Sequence, residues 1–287
     1  MPYATIKFSY PIWFYVVNRT RRKQYEEYEK NHTQLQERLL ESLSRDGYVV
    51  TNVDELFPDQ HRLSILTRYV ENQLPNAEER HKKKFLKKLW SEEPLLDMNN
   101  PFMALAAEKT VLEIIAAYLG VFPIATSFWL DITVPVGERP PQQSQCWHRD
   151  PEDKRMLKFF LYVNDVDKDA GPFTYIAGSQ YGGKYGHLFP AKRPRGSYPD
   201  AHEVAERVDK KDIHELTGKA GTIILADTAG LHRGGHARLR ERIMFTACFV
   251  TSAFKGAPSY VATDAFKKQH NTLTPLTRYA LNTNEIA

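Results

Sequence analysis

The run Thr222-Ile-Ile-Leu225, then Asp227-Thr-Ala-Gly-Leu-His232-Arg-Gly-Gly-His236, then Arg242-Ile-Met-Phe-Thr-Ala-Cys-Phe-Val250 decides the architecture of this chain. It reads as a strand, a glycine-rich loop and a second strand. Successive strand side chains point to opposite faces, so Ile243, Phe245, Ala247 and Phe249 share one face and Arg242, Met244, Thr246 and Cys248 the other. The first face suits a core between layers, and the second is mixed enough to line a pocket. Upstream, residues 124–134, 156–163 and 173–176 are further β-rich runs bounded by Gly, Pro and Asp. Together they give the pattern of an antiparallel sandwich or barrel.

Before Pro123 the periodicity is helical. Residues 21–45 read as one long amphipathic helix, with Tyr25, Tyr28, His32, Leu35, Leu39 and Leu43 near helical spacing. Gly47 stops it, and Tyr48-Val-Val50 starts a short strand. Further helices are expected over 60–73 and 101–119, the latter closed by Gly120. The segment 78–90, with Lys82-Lys-Lys84 and Lys87-Lys88, reads as a solvated helix face or lid, with a phosphate-binding patch as the alternative. The long loop 182–212, rich in Gly, Pro and charge, reads as a functional lid or a flexible segment.

Composition narrows the classes of function. The 287 residues carry 39 Lys or Arg and 35 Asp or Glu, largely interspersed, for a net charge of +4. That balance argues against wholesale nucleic-acid binding. The two cysteines, Cys146 and Cys248, have no paired spacing, which excludes a disulfide framework and a thiolate zinc site and points to a reducing, cytoplasmic setting. The apolar run Ile12-Trp-Phe-Tyr-Val-Val17 is far shorter than the roughly 20 residues of a membrane span and lacks signal-peptide flanks. It is expected to pack on the domain, ahead of a helix that opens with Arg19-Thr-Arg-Arg-Lys23.

The ten histidines are the main stock of metal ligands and proton carriers. In Trp147-His148-Arg149-Asp150, an extended backbone puts His148 and Asp150 on one face, offering an imidazole nitrogen beside a carboxylate. A chain of this composition meets such a pair about once by chance, so the pair becomes informative only with a third ligand. His232 supplies a candidate on a different strand of the same β unit. Two histidines and one carboxylate make the facial triad that binds Fe(II) and leaves positions open; a loop histidine beside a turn is the competing reading of His232. Arg242, on the pocket face, is placed to hold a carboxylate by a bidentate ion pair, with Arg240 of the same parity as its rival. Lys158 and Thr246 are further pocket candidates, Lys158 either facing the site or snorkelling to solvent. Trp147 should point away from the ligands into packing, and His236 is expected to lie outside the ligand set.

Cys146-Trp-His-Arg-Asp150, Leu157-Lys-Phe-Phe-Leu-Tyr-Val-Asn-Asp-Val166, Ala170-Gly-Pro-Phe-Thr-Tyr-Ile-Ala-Gly-Ser179 and the stretch 227–242, in this order, resemble the phytanoyl-CoA dioxygenase family. The resemblance spans roughly 45–252 and is strongest from Gln145 onward. It implies a double-stranded β-helix (jelly-roll) core with N-terminal helices packed against it, an α+β and mainly β fold. It also implies Fe(II), 2-oxoglutarate as co-substrate and O2. His148, Asp150 and His232 fall on the family's metal positions, and Arg242 falls near its 2-oxoglutarate carboxylate position, crowded by Arg238 and Arg240. One departure is Ala177-Gly-Ser-Gln180, where the family often reads Pro-Gly-Ser-His; the turn survives. No catalytic residue beyond the metal ligands is implied.

The expected organisation is one domain over 1–287: a mainly helical part to 122, the jelly-roll core over 123–255 with its lid at 182–212, and an extension over 256–287. The expected activity is hydroxylation or desaturation of a small or medium organic substrate, with oxidative decarboxylation of 2-oxoglutarate to succinate and carbon dioxide. Retention of Asp150, where related halogenases carry a small residue, favours this over halogenation. The basic segments are compatible with an acidic, phosphorylated or thioester-bearing substrate. Two other readings compete: a cupin-like isomerase or dioxygenase that keeps the triad without 2-oxoglutarate, and a non-catalytic module that binds phosphate ligands.

Overall fold

Alternating apolar side chains with few helix formers between them produce strands, and twelve form among the described residues of the computed structural model, which are 9–58, 60–79, 83–191, 198–268 and 272–281. They are β1 (Tyr48–Asn52), β2 (Glu78–Glu79), β3 (Leu86–Lys88), β4 (Leu95–Leu96), β5 (Ile124–Thr133), β6 (Leu157–Tyr162), β7 (Phe173–Ile176), β8 (Ile213–Leu216), β9 (Thr222–Ala226), β10 (His232–Arg233), β11 (Arg242–Val250) and β12 (Val261–Ala262). A seven-stranded sheet runs β1-β9-β6-β11-β5-β3-β2, and a three-stranded sheet runs β10-β7-β8. β4 and β12 form a small parallel pair.

The two faces of β11 part as alternation requires. Ile243, Phe245, Ala247 and Phe249 join Phe159, Leu161, Ile223 and Leu225 in the main core, against the helices Gln34–Asp46, Pro101–Ala106 and Lys109–Leu119. Phe245 lies 5.1 Å from Phe102, ring to ring. On the opposite face, Phe160, Tyr162, Ile224 and Ala226 meet Phe173, Tyr175 and Leu216 of the small sheet. Two sheets thus pack face to face, with helices covering the outer side of the larger one. The large antiparallel sheet with helices against it is the mixed architecture expected from the sequence.

Three helical expectations need correction. The helix expected over 21–45 is two, Arg19–Glu27 and Gln34–Asp46, because Tyr28 adopts extended backbone and Thr33 starts a new helix. Thr33 and Gln36 form a reciprocal capping box, a signal present in the sequence but masked by the continuing apolar spacing. Residues 101–119 likewise split into Pro101–Ala106, capped by the Asn100 side chain, and Lys109–Leu119. The described residues of the segment 78–90 form a strand pair, not a helix: Glu78 faces Lys88, Glu79 faces Lys87, and β3 adds to the edge of β5. Phe85 and Leu89 are buried there, and anchoring them outweighs the helix propensity of the lysines. Lys82 lies outside the described residues.

The loop 182–212 is not irregular throughout, since Asp200 caps a helix over Ala201–Arg207; its residues 192–197 lie outside the described residues. Gly120 ends its helix at φ 71°. No described helix is long and apolar enough to cross a membrane. The run Ile12–Val17 forms a single π-helical turn that buries Trp13 completely, and Trp13 Nε1 donates to Asp153 Oδ1 at 2.6 Å. Asp153 in turn accepts from the Thr251 amide and hydroxyl, so this one indole ties the N-terminal turn to the end of β11. Trp13→Ala should destabilise the protein by about 3–5 kcal/mol, the range for a buried aromatic, read as a fall in the midpoint of chemical denaturation.

Candidate metal centre

Residues 146–150 run extended beside β10. His148 N–H donates to the His232 carbonyl at 2.8 Å, and His232 N–H donates to the His148 carbonyl at 2.9 Å. This reciprocal bridge adds the His148 segment to the edge of the small sheet and brings the two imidazoles to 4.2 Å between centroids. Each ring is oriented from behind: Nδ1 of His148 lies 2.9 Å from the Cys146 carbonyl, and Nδ1 of His232 lies 3.0 Å from that of Gly230. A carbonyl only accepts, so each Nδ1 carries the proton and each Nε2 keeps its lone pair. Both Nε2 atoms face Asp150, at 3.8 Å from Oδ1 for His148 and 3.6 Å from Oδ2 for His232. The potential donor atoms of the three side chains all lie within 4.8 Å of one another.

The protonation states suit metal binding. Burial lowers His148, and burial with His148 alongside pushes His232 down to about 3. Burial opposes ionisation of Asp150, but the Lys158 ammonium and the two imidazoles outweigh it and hold the carboxyl well below the usual range. Two neutral imidazoles and a carboxylate therefore stand ready at neutral pH without releasing a proton. The donor set fits Fe(II) better than a closed zinc site, which would take a fourth protein ligand.

A cavity of about 130 Å³ opens beside this cluster, between the two sheets. His148 and His232 line it together with Lys158, Thr246, Lys83 and Arg242. Arg242 is buried; its guanidinium donates to the Gly171 carbonyl at 2.7 Å and the Thr133 hydroxyl at 3.1 Å, and its Nε has no partner among the described residues. Arg240 is exposed and pairs with Asp167, and Arg238 is exposed, so of the three crowded arginines only Arg242 lines the cavity. Lys158 faces the cavity rather than solvent, with Nζ 2.6 Å from Asp150 Oδ2. Trp147 packs with Ile176, Tyr185 and Leu231, away from the cluster. His236 Nε2 meets the Arg139 carbonyl, outside the cluster.

Sequence reasoning missed three residues. Arg149, between the two ligand candidates, is buried and spends all five donors on carbonyls, those of Ser179, Tyr185, Leu188, Phe189 and Ala229, at 2.6–3.1 Å. Its signal was a charged residue on the side opposite the ligand face, where alternation demands burial. Asp227 accepts from Tyr118 Oη at 2.7 Å and from the amides of Met156 and Ala229, bracing the start of the His232 loop. Tyr198 stacks on His148 at 5.5 Å and 10° from the long loop; nothing in its local sequence marked it.

The phytanoyl-CoA dioxygenase family model matches residues 44–238, well over half of the chain. No curated protein matches at the level of sequence. Among solved structures, EctD from S. alaskensis with 2-oxoglutarate and 5-hydroxyectoine is similar with a TM-score of 0.55 at 19% identity, over 83% of this chain and 85% of that one. The epimerase SnoN, in complex with Fe3+, alpha ketoglutarate and nogalamycin RO, gives 0.55 at 14% identity, over 78% of this chain and 87% of that one. HygX from Streptomyces hygroscopicus, with nickel, 2-oxoglutarate and hygromycin B, gives 0.52 at 14%, over 81% and 98%. These likenesses establish the jelly-roll fold of the chain.

Two outcomes follow from the bracing residues. Arg149→Met should weaken Co(II) binding about 10–100-fold by calorimetry, the usual effect of removing a group that orients ligands, with the far-ultraviolet dichroism unchanged. Burial pushes Asp227 up to about 6, against the pull of Arg155 and its hydrogen-bond donors. A carboxyl raised in the fold binds its proton more tightly there than in the unfolded chain, so its contribution is present at low pH and is lost as pH rises through about 4 to 6. Relative to wild type, Asp227→Asn should therefore gain about 2 kcal/mol between pH 4 and pH 6 in denaturant titrations; a constant difference would refute this.

Proposed function

The chain belongs to the phytanoyl-CoA dioxygenase family, a class of 2-oxoglutarate-dependent non-haem iron oxygenases, and on that premise we propose that it hydroxylates or desaturates a small or medium organic substrate. His148, Asp150 and His232 would hold Fe(II), and Arg242 would pair with the far carboxylate of 2-oxoglutarate. The iron and 2-oxoglutarate supply the oxidising power with O2, through decarboxylation of the co-substrate to succinate and carbon dioxide.

The observation that carries this reading is the single cavity lined by both the histidines and Arg242. Arginine stays charged in proteins, and a buried guanidinium held by the Gly171 carbonyl and the Thr133 hydroxyl, with the Tyr162 hydroxyl beside it, has capacity for an anion. Thr133 and Gly171 fix its plane, so the carboxylate it takes arrives in one orientation. Phe160, Phe173 and Trp129 wall the same cavity, and apolar walls lower the local dielectric and strengthen such an ion pair.

A second cavity of about 420 Å³ adjoins the first at Gln145, Gly234 and Gly235. Lys168, Arg233 and Arg238 line it with Asp169 and Glu215, which supports an acidic substrate entering from that side.

Anaerobic titration with Fe(II) and 2-oxoglutarate tests the proposal. The wild-type protein should develop the metal-to-ligand charge-transfer absorption of a chelated 2-oxo acid, and Arg242→Met should raise the 2-oxoglutarate Kd by at least about 30-fold, as loss of a buried charge partner does. Well-folded wild type that develops no such band overturns the reading.

A further inference from the structure

Lys158 is an unusual residue for its position. It sits in β6, an interior strand of the large sheet, opposite Ala226 on one side and Cys248 on the other. Phe160 and Trp129 line the same cavity, the Trp129 ring centroid lying 5.9 Å from Nζ. A buried ammonium is destabilising unless it is paired, and the ion pair it makes is with Asp150, at 2.6 Å. The two oxygens of that carboxylate are not equivalent. Oδ1 faces His148 Nε2 at 3.8 Å, whereas Oδ2 lies 3.6 Å from His232 Nε2 and in contact with Lys158.

Resting on the iron and 2-oxoglutarate reading, we propose that Lys158 is a positioning residue that makes Asp150 a one-oxygen ligand, by holding one carboxylate oxygen while the other is left to the metal. The requirement comes from counting positions. Three protein donors on an octahedral ion leave three positions, of which a chelating 2-oxo acid takes two and oxygen needs the last. A carboxylate is free to bind through one oxygen or two. If Asp150 used both, the protein would fill four positions, and the co-substrate or oxygen would be shut out. A mobile water could not prevent this, but an ammonium whose stem is fixed in a central strand can. The same contact orients the carboxylate, as the carbonyls behind Nδ1 orient the two imidazoles.

The test is the anaerobic Fe(II) and 2-oxoglutarate titration of wild type, Lys158→Met and Lys158→Arg, with Co(II) absorption reporting coordination number. For Lys158→Met we expect Fe(II) affinity equal to or above wild type and a 2-oxoglutarate Kd raised about 10–100-fold. Its Co(II) spectrum without co-substrate should differ from that of wild type. Lys158→Arg keeps a donor at Oδ2 and should hold the 2-oxoglutarate Kd within about threefold of wild type. A Met variant with wild-type 2-oxoglutarate affinity, or with weakened Fe(II) binding, overturns the proposal. Should the Met chain not fold, a tenfold loss in the Arg variant overturns it, and retention supports it. Failure of wild type to form the band at all would instead refute the iron reading on which the proposal rests.

Discussion

The pair of backbone hydrogen bonds between His148 and His232 is the constraint on which the site depends. One segment comes from the crossing between β5 and β6, the other from the loop after β9, and the bridge sets their register as it would in a sheet. A slip of one residue would send His148 and Asp150 to the far face and bring Arg149 and Trp147 inward. The carbonyls of Cys146 and Gly230 then do locally what the bridge does globally, fixing the proton on each Nδ1 so that both Nε2 atoms converge. The donor geometry is thus built into the backbone pairing.

Buried charge supports that register from behind. Arg149 points away from the ligand face into five carbonyls, three of them on the segment 185–189 and one on the His232 loop. Because a guanidinium cannot discard its charge, these carbonyls must stay assembled around it, and the long loop is pinned to the ligand segment. Asp227 performs the complementary task with donors, drawing in the Tyr118 hydroxyl and two amides at the root of the His232 loop. Helix, sheet and loop are therefore joined near the site by polar contacts, where apolar packing alone would tolerate sliding.

The β half was legible because its signals are local and of period two. β7 coincides with its expected limits, and β5, β6, β9 and β11 fall within one residue of theirs. The helical half was less legible where a local signal competed with periodicity: Thr33 and Gln36 restart a helix in the middle of continuous apolar spacing. The segment 78–90 misled because lysine favours helices in isolation, while Phe85 and Leu89 find buried places only if the chain runs along β5. At the site, the approach of His148, Asp150 and His232 followed from alternation and motif order. The Lys158 contact and the fan of carbonyls around Arg149 did not, since they arise from which strands become neighbours, a long-range fact.

Glycine shows the same division between local and long-range meaning. The glycines after His232 read only as a glycine-rich loop, yet the placement of Gly235 against Gly171 is a matter of close approach. A side chain at Gly235 would strike the Gly171 carbonyl, its Cβ only 1.4 Å from that oxygen. The same carbonyl accepts from Arg242 Nη1. Two loops can cross at this point because both are glycine there, a Cβ at Gly171 falling only 2.5 Å from the Ala237 nitrogen, and the crossing brings the carbonyl against the guanidinium. Any substituent at Gly235 would displace the Gly171 backbone and, with it, the acceptor that fixes the plane of Arg242. The position of Arg242 is therefore set by absent Cβ atoms where two other loops cross, and this is why spacing alone left Arg240 and Arg242 as rivals.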